Sequence, residues 1–192
     1  MPRSAFVVLI VLTACGALAP AAGARGRSRR RGCADAHTPV TAVSRAQLQS
    51  TVVCLINQQR RARGLPALRE SARLNRSAQG WTNVMVDDRE FTHGSDFSAR
   101  ISAVGFDWSS AGENIATGFG TASAVVTGWM GSTGHCENIL SPVYRDVGTG
   151  VSDRAIPGYS SQGATWTQDF GLWMGQSQPS HNYGPAAGCP YG

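Results

Sequence analysis

From Ser44 onward the apolar positions recur with a helical period. Leu48, Val52, Leu55 and Ile56 fall on one face of a segment that Ser44-x-x-Gln47 opens as a capping box. Arg60, Arg61 and Arg63 crowd its last turn, where they favour the negative end of the helix dipole, and Gly64 with Pro66 beyond stops it. The spacing predicts a second helix from Ser71, with Leu74, Ala78, Trp81 and Met85 on one face. Arg73, Arg76, Asp87 and Asp88 lie largely off that face. A short third helix is predicted from Phe97 to Val104 and a fourth from about Thr121 to Met130. The period then changes. Val147, Gly150-Val151 and the run Ala164-Thr165-Trp166-Thr167-Gln168-Asp169-Phe170 alternate and are rich in β-forming residues, bounded by Gly148 and Gly171. Helices first and strands later, with no regular βαβ rhythm and no internal repeat, predict an α+β fold.

The two ends differ from this body. Arg3 precedes the apolar run Ala5 to Leu12, too short to span a bilayer, and small residues follow. Ala22-Gly23-Ala24 supplies an A-x-A site, so residues 1–24 read as a signal peptide cleaved after Ala24. A second reading takes Leu12-Thr13-Ala14-Cys15-Gly16 as a lipobox with Cys15 lipidated. Both readings place the body outside the cytoplasm. Residues 25–44 read as a disordered, Arg-rich arm and N-terminal segment, and residues 172–192, rich in Gly, Pro, Ser and Gln, as an irregular tail. The domain expected between them is 45–171. A chain of 192 residues has room for one such domain, and no other segment is a candidate transmembrane span.

Charge and cysteine content narrow the class. All 17 basic residues are Arg, and Arg25, Arg27, Arg29, Arg30 and Arg31 form one run. From Cys33 onward 11 Arg face 12 Asp and Glu, so the formal charge of +5 belongs to a tail and argues against specific nucleic-acid binding by the domain. Removal of the signal peptide leaves Cys33, Cys54, Cys136 and Cys189, an even set that predicts two disulfides in an oxidising compartment. Of the three possible connectivities, none excluded by loop length, the expected one joins Cys33 to Cys54, pinning the entry to the first helix, and Cys136 to Cys189, tying back the tail. There is no C-x-x-C pair, so a zinc–thiolate or thioredoxin-like site has no support.

Candidate chemistry centres on two of the four histidines. His37 and His181 lie in polar flanks, whereas His93 follows the second helix and His135 lies in Trp129-Met130-Gly131-Ser132-Thr133-Gly134-His135-Cys136-Glu137-Asn138-Ile139-Leu140. Between them Glu113 stands in Ala111-Gly112-Glu113-Asn114-Ile115-Ala116, a small apolar loop where a carboxylate needs a partner. His93, then Gly-Glu-Asn-Ile-Ala, then Trp-x-x-Ser-x-Gly-His-x-x-Asn-Ile-Leu, then Trp-Thr-Gln-Asp-Phe-Gly resembles the bacterial branch of the CAP superfamily, the SCP or pathogenesis-related-1-like fold. Cys54-Leu55-Ile56-Asn57-x-x-Arg60 and Gly64-Leu65-Pro66-x-Leu68 are similar to that family's first helix and turn. The motifs keep their order across roughly 120 residues.

The resemblance implies a three-layer α-β-α sandwich with a central antiparallel sheet and a cleft bearing a His/Glu tetrad. Only His93 and Glu113 match that tetrad; Ser132 and Thr165 stand where other members place the second Glu and the second His, and His135 is present instead. Glu90 and Glu137 are the nearby acids that could add a carboxylate. The expected cleft is therefore His93, Glu113 and His135, three donors suited to a divalent metal such as zinc. Family membership does not select a reaction, and the catalytic residues stay unassigned. The reading taken is a secreted, monomeric binding or scaffold module for an extracellular ligand, such as a lipid or cell-surface component. The alternative is a metal-dependent extracellular hydrolase, peptidase-like, using the same cleft.

Overall fold

The computed structural model describes Met1, residues 32–177 and residues 188–189. Residues 2–31, which hold most of the expected signal peptide, Cys15 of the alternative lipobox and the Arg run, lie outside the described residues, as do His181 and most of the tail. The described residues from Gly32 onward form one compact unit by internal packing.

Four helices follow from local chemistry that the sequence displays. Helix α1 (Arg45–Ala62) starts at the capping box of Ser44 and Gln47, with both reciprocal bonds made. Helices α2 (Ala72–Asp88), α3 (Phe97–Ala103) and α4 (Ala122–Met130) start at Ser71, Asp96 and Thr121, whose side chains each accept the N–H three residues on. Two elements were not legible. Helix α5 (Thr133–Leu140) follows α4 after a two-residue break, and Glu113 lies in a ten-residue strand, not a loop.

The four-stranded sheet has the order β1-β3-β4-β2. Strands β2 (Trp108–Thr117), β3 (Asp146–Ser152) and β4 (Thr165–Trp173) are antiparallel, and the two-residue β1 (Arg69–Glu70) adds a short parallel pair to β3. Helices cover both faces, an α-β-α sandwich. On one face Val147, Val151, Trp166 and Phe170 pack with α1, α4 and α5 through Val52, Ile56, Val125, Trp129 and Ile139. On the other, α2 and α3 bring Met85 onto Ile115, and Leu74 and Ile101 onto Phe106. A Cβ on Gly148 or Gly150 would collide with the α2 backbone at Leu74 or Ala78, so these glycines set how closely α2 lies on β3.

Side chains close both edges of the sheet. Along β3 beyond β1, Asn75 accepts the Thr149 N–H and Gln49 donates to the Thr149 carbonyl. Gln79 both accepts from the Val151 N–H and donates to its carbonyl. On β2, Tyr144, Asn138 and Trp129 donate to the carbonyls of Ala111, Glu113 and Ile115. The buried Arg60 guanidinium donates to the carbonyls of Pro66, Ile139 and Ser141, tying α1 to the end of α5, and burial lowers its pKa to about 10. Disulfides join Cys33 to Cys54 and Cys136 to Cys189. Among the described residues no helix is long and apolar enough to cross a membrane.

Candidate functional site

Strand alternation divides the site. Successive residues of β2 point to opposite faces, so Glu113 turns towards α2 and α3 while Asn114 turns towards α5. Glu113 Oε1 lies 2.8 Å from His93 Nδ1, and Glu113 Oε2 accepts from Arg100 Nη2 at 2.6 Å. The carboxylate is 1% exposed, against 21% for Arg100 and 49% for His93, so a buried anion is held between a fixed cation and a histidine that reaches solvent. Arg100 is positioned by α3 and by stacking on Trp81, 3.8 Å from its ring centroid. His93 sits here because α2 stops at Asp88: Arg89, at φ 59°, caps it in the left-handed region. Glu90, beyond that stop, is exposed and no longer shares a helical face with His93.

A second acid lies beneath the pair. Asp169 is the cross-strand partner of Glu113 and is 1% exposed. Burial, and then the negative charge of Glu113, push its carboxyl well above the usual range, against the opposing pull of Ser77 and Arg100. Neither Ser77 nor Glu113 meets it in good hydrogen-bonding geometry; both carboxyl oxygens lack a partner among the described residues, as do Ser77 Oγ and Arg100 Nε.

On the other face Asn114 Nδ2 donates to the main-chain carbonyl of His135 and to Gln168, and Asn138 donates to Asn114 Oδ1. His135 Nδ1 lies 3.0 Å from Ser132 Oγ. Burial, and then the neighbouring His93, lower the His135 pKa. Beside His135 and Ser132 is a cavity of about 320 Å³ lined mainly by apolar side chains, among them Phe91, Ile115, Phe119, Trp129 and Tyr159.

The structure thus brings His93 into direct contact with Glu113, while His135 approaches from the opposite face and bonds Ser132 instead. The three-donor metal site expected of His93, Glu113 and His135 does not fit this donor set. Both Glu113 oxygens are engaged, one of them by a permanent cation that would repel a metal. Among the described residues no group of three or more His, Cys, Asp or Glu is placed to hold one. Glu137 takes no part in the contacts of Glu113, His93 or His135. Sequence reasoning missed Arg100 and Asp169. The signal for Asp169 was a lone carboxylate at an inward position of an alternating strand; Arg100 looked like one more charge in a balanced set.

Residues 53–170 match the model of the CAP family, described as the cysteine-rich secretory protein family, and the chain belongs to it. It is 36% identical over 127 residues to YkwD of Bacillus subtilis, an uncharacterised protein; the match covers 64% of this chain and 46% of YkwD. An extracellular SCP-domain protein of Bacillus anthracis superposes with TM-score 0.58 at 25% identity, over 67% of this chain and 44% of that one. An outer surface protein of Borrelia burgdorferi gives TM-score 0.60 at 18% identity, over 69% of this chain and 97% of its own, which shows the shared fold. The chain spans less than half the length of YkwD and of the Bacillus anthracis protein.

Proposed function

We propose that this protein is an extracellular ligand-binding module whose domain, residues 45–171, takes up a small amphiphile through the cavity beside His135. The observation that carries this reading is the cavity itself, about 320 Å³, apolar over most of its lining with a few polar groups, Thr117, Ser132, His135 and Tyr159, among them. The His93–Glu113–Arg100 network supports it as a brace, because a carboxylate held by two partners fixes β2, α3 and the segment after α2 against one another. The same engagement counts against the metal-dependent hydrolase reading, which needs Glu113 free.

Binding of straight-chain carboxylic acids from butyrate to octanoate, followed by NMR, tests the assignment. Affinity should rise with each methylene buried, by up to about 0.8 kcal/mol, until the cavity is full. Tyr159→Ala, which removes an exposed aromatic from the lining, should weaken octanoate at least fivefold. No saturable binding, or affinity independent of chain length, would overturn the reading. Export is proposed on three supports: the hydrophobic leader, the two disulfides, and relatives named as extracellular or outer-surface proteins. The intact mass of the exported protein should correspond to a chain starting at Arg25; a diacylglyceryl-modified Cys15 at its N-terminus would instead establish a lipid anchor.

A further inference from the structure

Ser132 is the N-cap of α5, yet it does not cap. Ser44, Ser71, Asp96 and Thr121 each accept a backbone N–H at the start of α1, α2, α3 and α4; Ser132 makes no such bond. Its hydroxyl is turned to His135 Nδ1 at 3.0 Å, the separation of a nucleophile from its base. Both residues line the apolar cavity, so the polar pair and the space for a ligand coincide. The support is rigid: the His135 carbonyl is held by Asn114, and the next residue, Cys136, is fully buried and bridged to Cys189. Burial keeps the imidazole neutral at neutral pH, the state in which Nδ1 can accept a proton.

We propose that Ser132 and His135 form a nucleophile–base pair that cleaves esters of short apolar acids, the acyl chain occupying the cavity. Ser132 Oγ adds to the ester carbonyl carbon as its proton passes to His135 Nδ1. The tetrahedral adduct collapses with cleavage of the bond to the alkoxy oxygen, which takes that proton and leaves as the alcohol. Water then adds to the acyl-serine, giving a proton to His135, which returns it to Ser132 Oγ as the acid departs. The first turn of α5 lies beside the nucleophile, at the end of the dipole that favours the oxyanion. This inference rests on the cavity being the ligand site.

The intact domain is treated with a fluorophosphonate and, separately, with p-nitrophenyl butyrate. The expected results are one phosphonyl adduct per chain, mapped to Ser132, and an initial burst approaching one p-nitrophenolate per chain. Ser132→Ala should lose both, and His135→Gln should slow acylation at least 100-fold. The wild-type rate should rise with pH through a midpoint below the ordinary imidazole value. A Ser132 that serves only the helix end would change melting temperature and nothing else. Absence of a Ser132 adduct in the wild type, or equal ester turnover by Ser132→Ala, would overturn the proposal. Butyramide separates this failure from failure of the binding reading: saturable butyramide binding without acylation removes the nucleophile and leaves the ligand site standing.

Discussion

Asp169 makes the folded protein hold a proton that the unfolded chain releases. Burial and the neighbouring Glu113 raise its carboxyl pKa above the unfolded value. Between those two values the native state binds more protons than the unfolded chain. Stability from this residue is therefore fully present below the unfolded pKa and is lost as pH rises towards the folded one, by about 1.4 kcal/mol per unit. Asp169→Asn keeps the shape and removes the titration. Its melting temperature should exceed that of the wild type by several degrees at pH 7, and the difference should close as pH falls towards 4. Thermal unfolding across that range checks the sign, and a variant that melts lower at pH 7 would mean that the carboxylate form is needed. His135 acts in the opposite direction, since its lowered pKa removes stability as pH falls below the ordinary imidazole value. That contribution is common to both proteins and cancels in the comparison.

At the level of elements, α2 lies close on β3. Gly148 and Gly150 face the α2 backbone at Leu74 and Ala78 with no room for a methyl group. Gly150→Ala must push the helix off the strand, which would also strain the bonds of Gln79 to Val151. A loss of about 3 kcal/mol or more is expected, whereas Gly134→Ala in α5, where a Cβ meets nothing within 4 Å, should gain up to about 1 kcal/mol. Urea unfolding of the two variants checks this; equal midpoints would refute the close approach. The sequence marks Gly150 only as part of a β-rich run and Gly148 only as its boundary, because a strand's neighbour across the layer leaves no mark on its own periodicity. The ends of elements show the same limit. Gly64 announces the stop of α1, whereas α2 stops at Arg89, a residue that seldom takes a left-handed conformation and gives no warning. Strand β2 escaped notice because it is buried over much of its length, so Gly112-Glu113-Asn114-Ile115-Ala116 does not alternate between apolar and polar.

For the whole molecule, ordered motifs carried more than periodicity did. Short signatures such as Gly-Glu-Asn-Ile-Ala and Trp-Thr-Gln-Asp-Phe-Gly bear on fold and family together, and they lie on the paired strands β2 and β4. Half of the site was legible in the same way, since His93 and Glu113 do meet. The rest depends on which way a side chain turns: His135 to Ser132, and Arg100 into the place where a metal was expected. The two bridges span 21 and 53 residues, separations for which chain entropy gives about 3 and 4 kcal/mol. The closed edges of the sheet have a further consequence. Asn75, Gln79 and Gln49 imitate a neighbouring strand on β3, as Tyr144, Asn138 and Trp129 do in part on β2. An incoming chain finds few main-chain groups free to zip onto, so crowding should not recruit copies into fibrils, and a partner has to be recognised by the shape and chemistry of side chains.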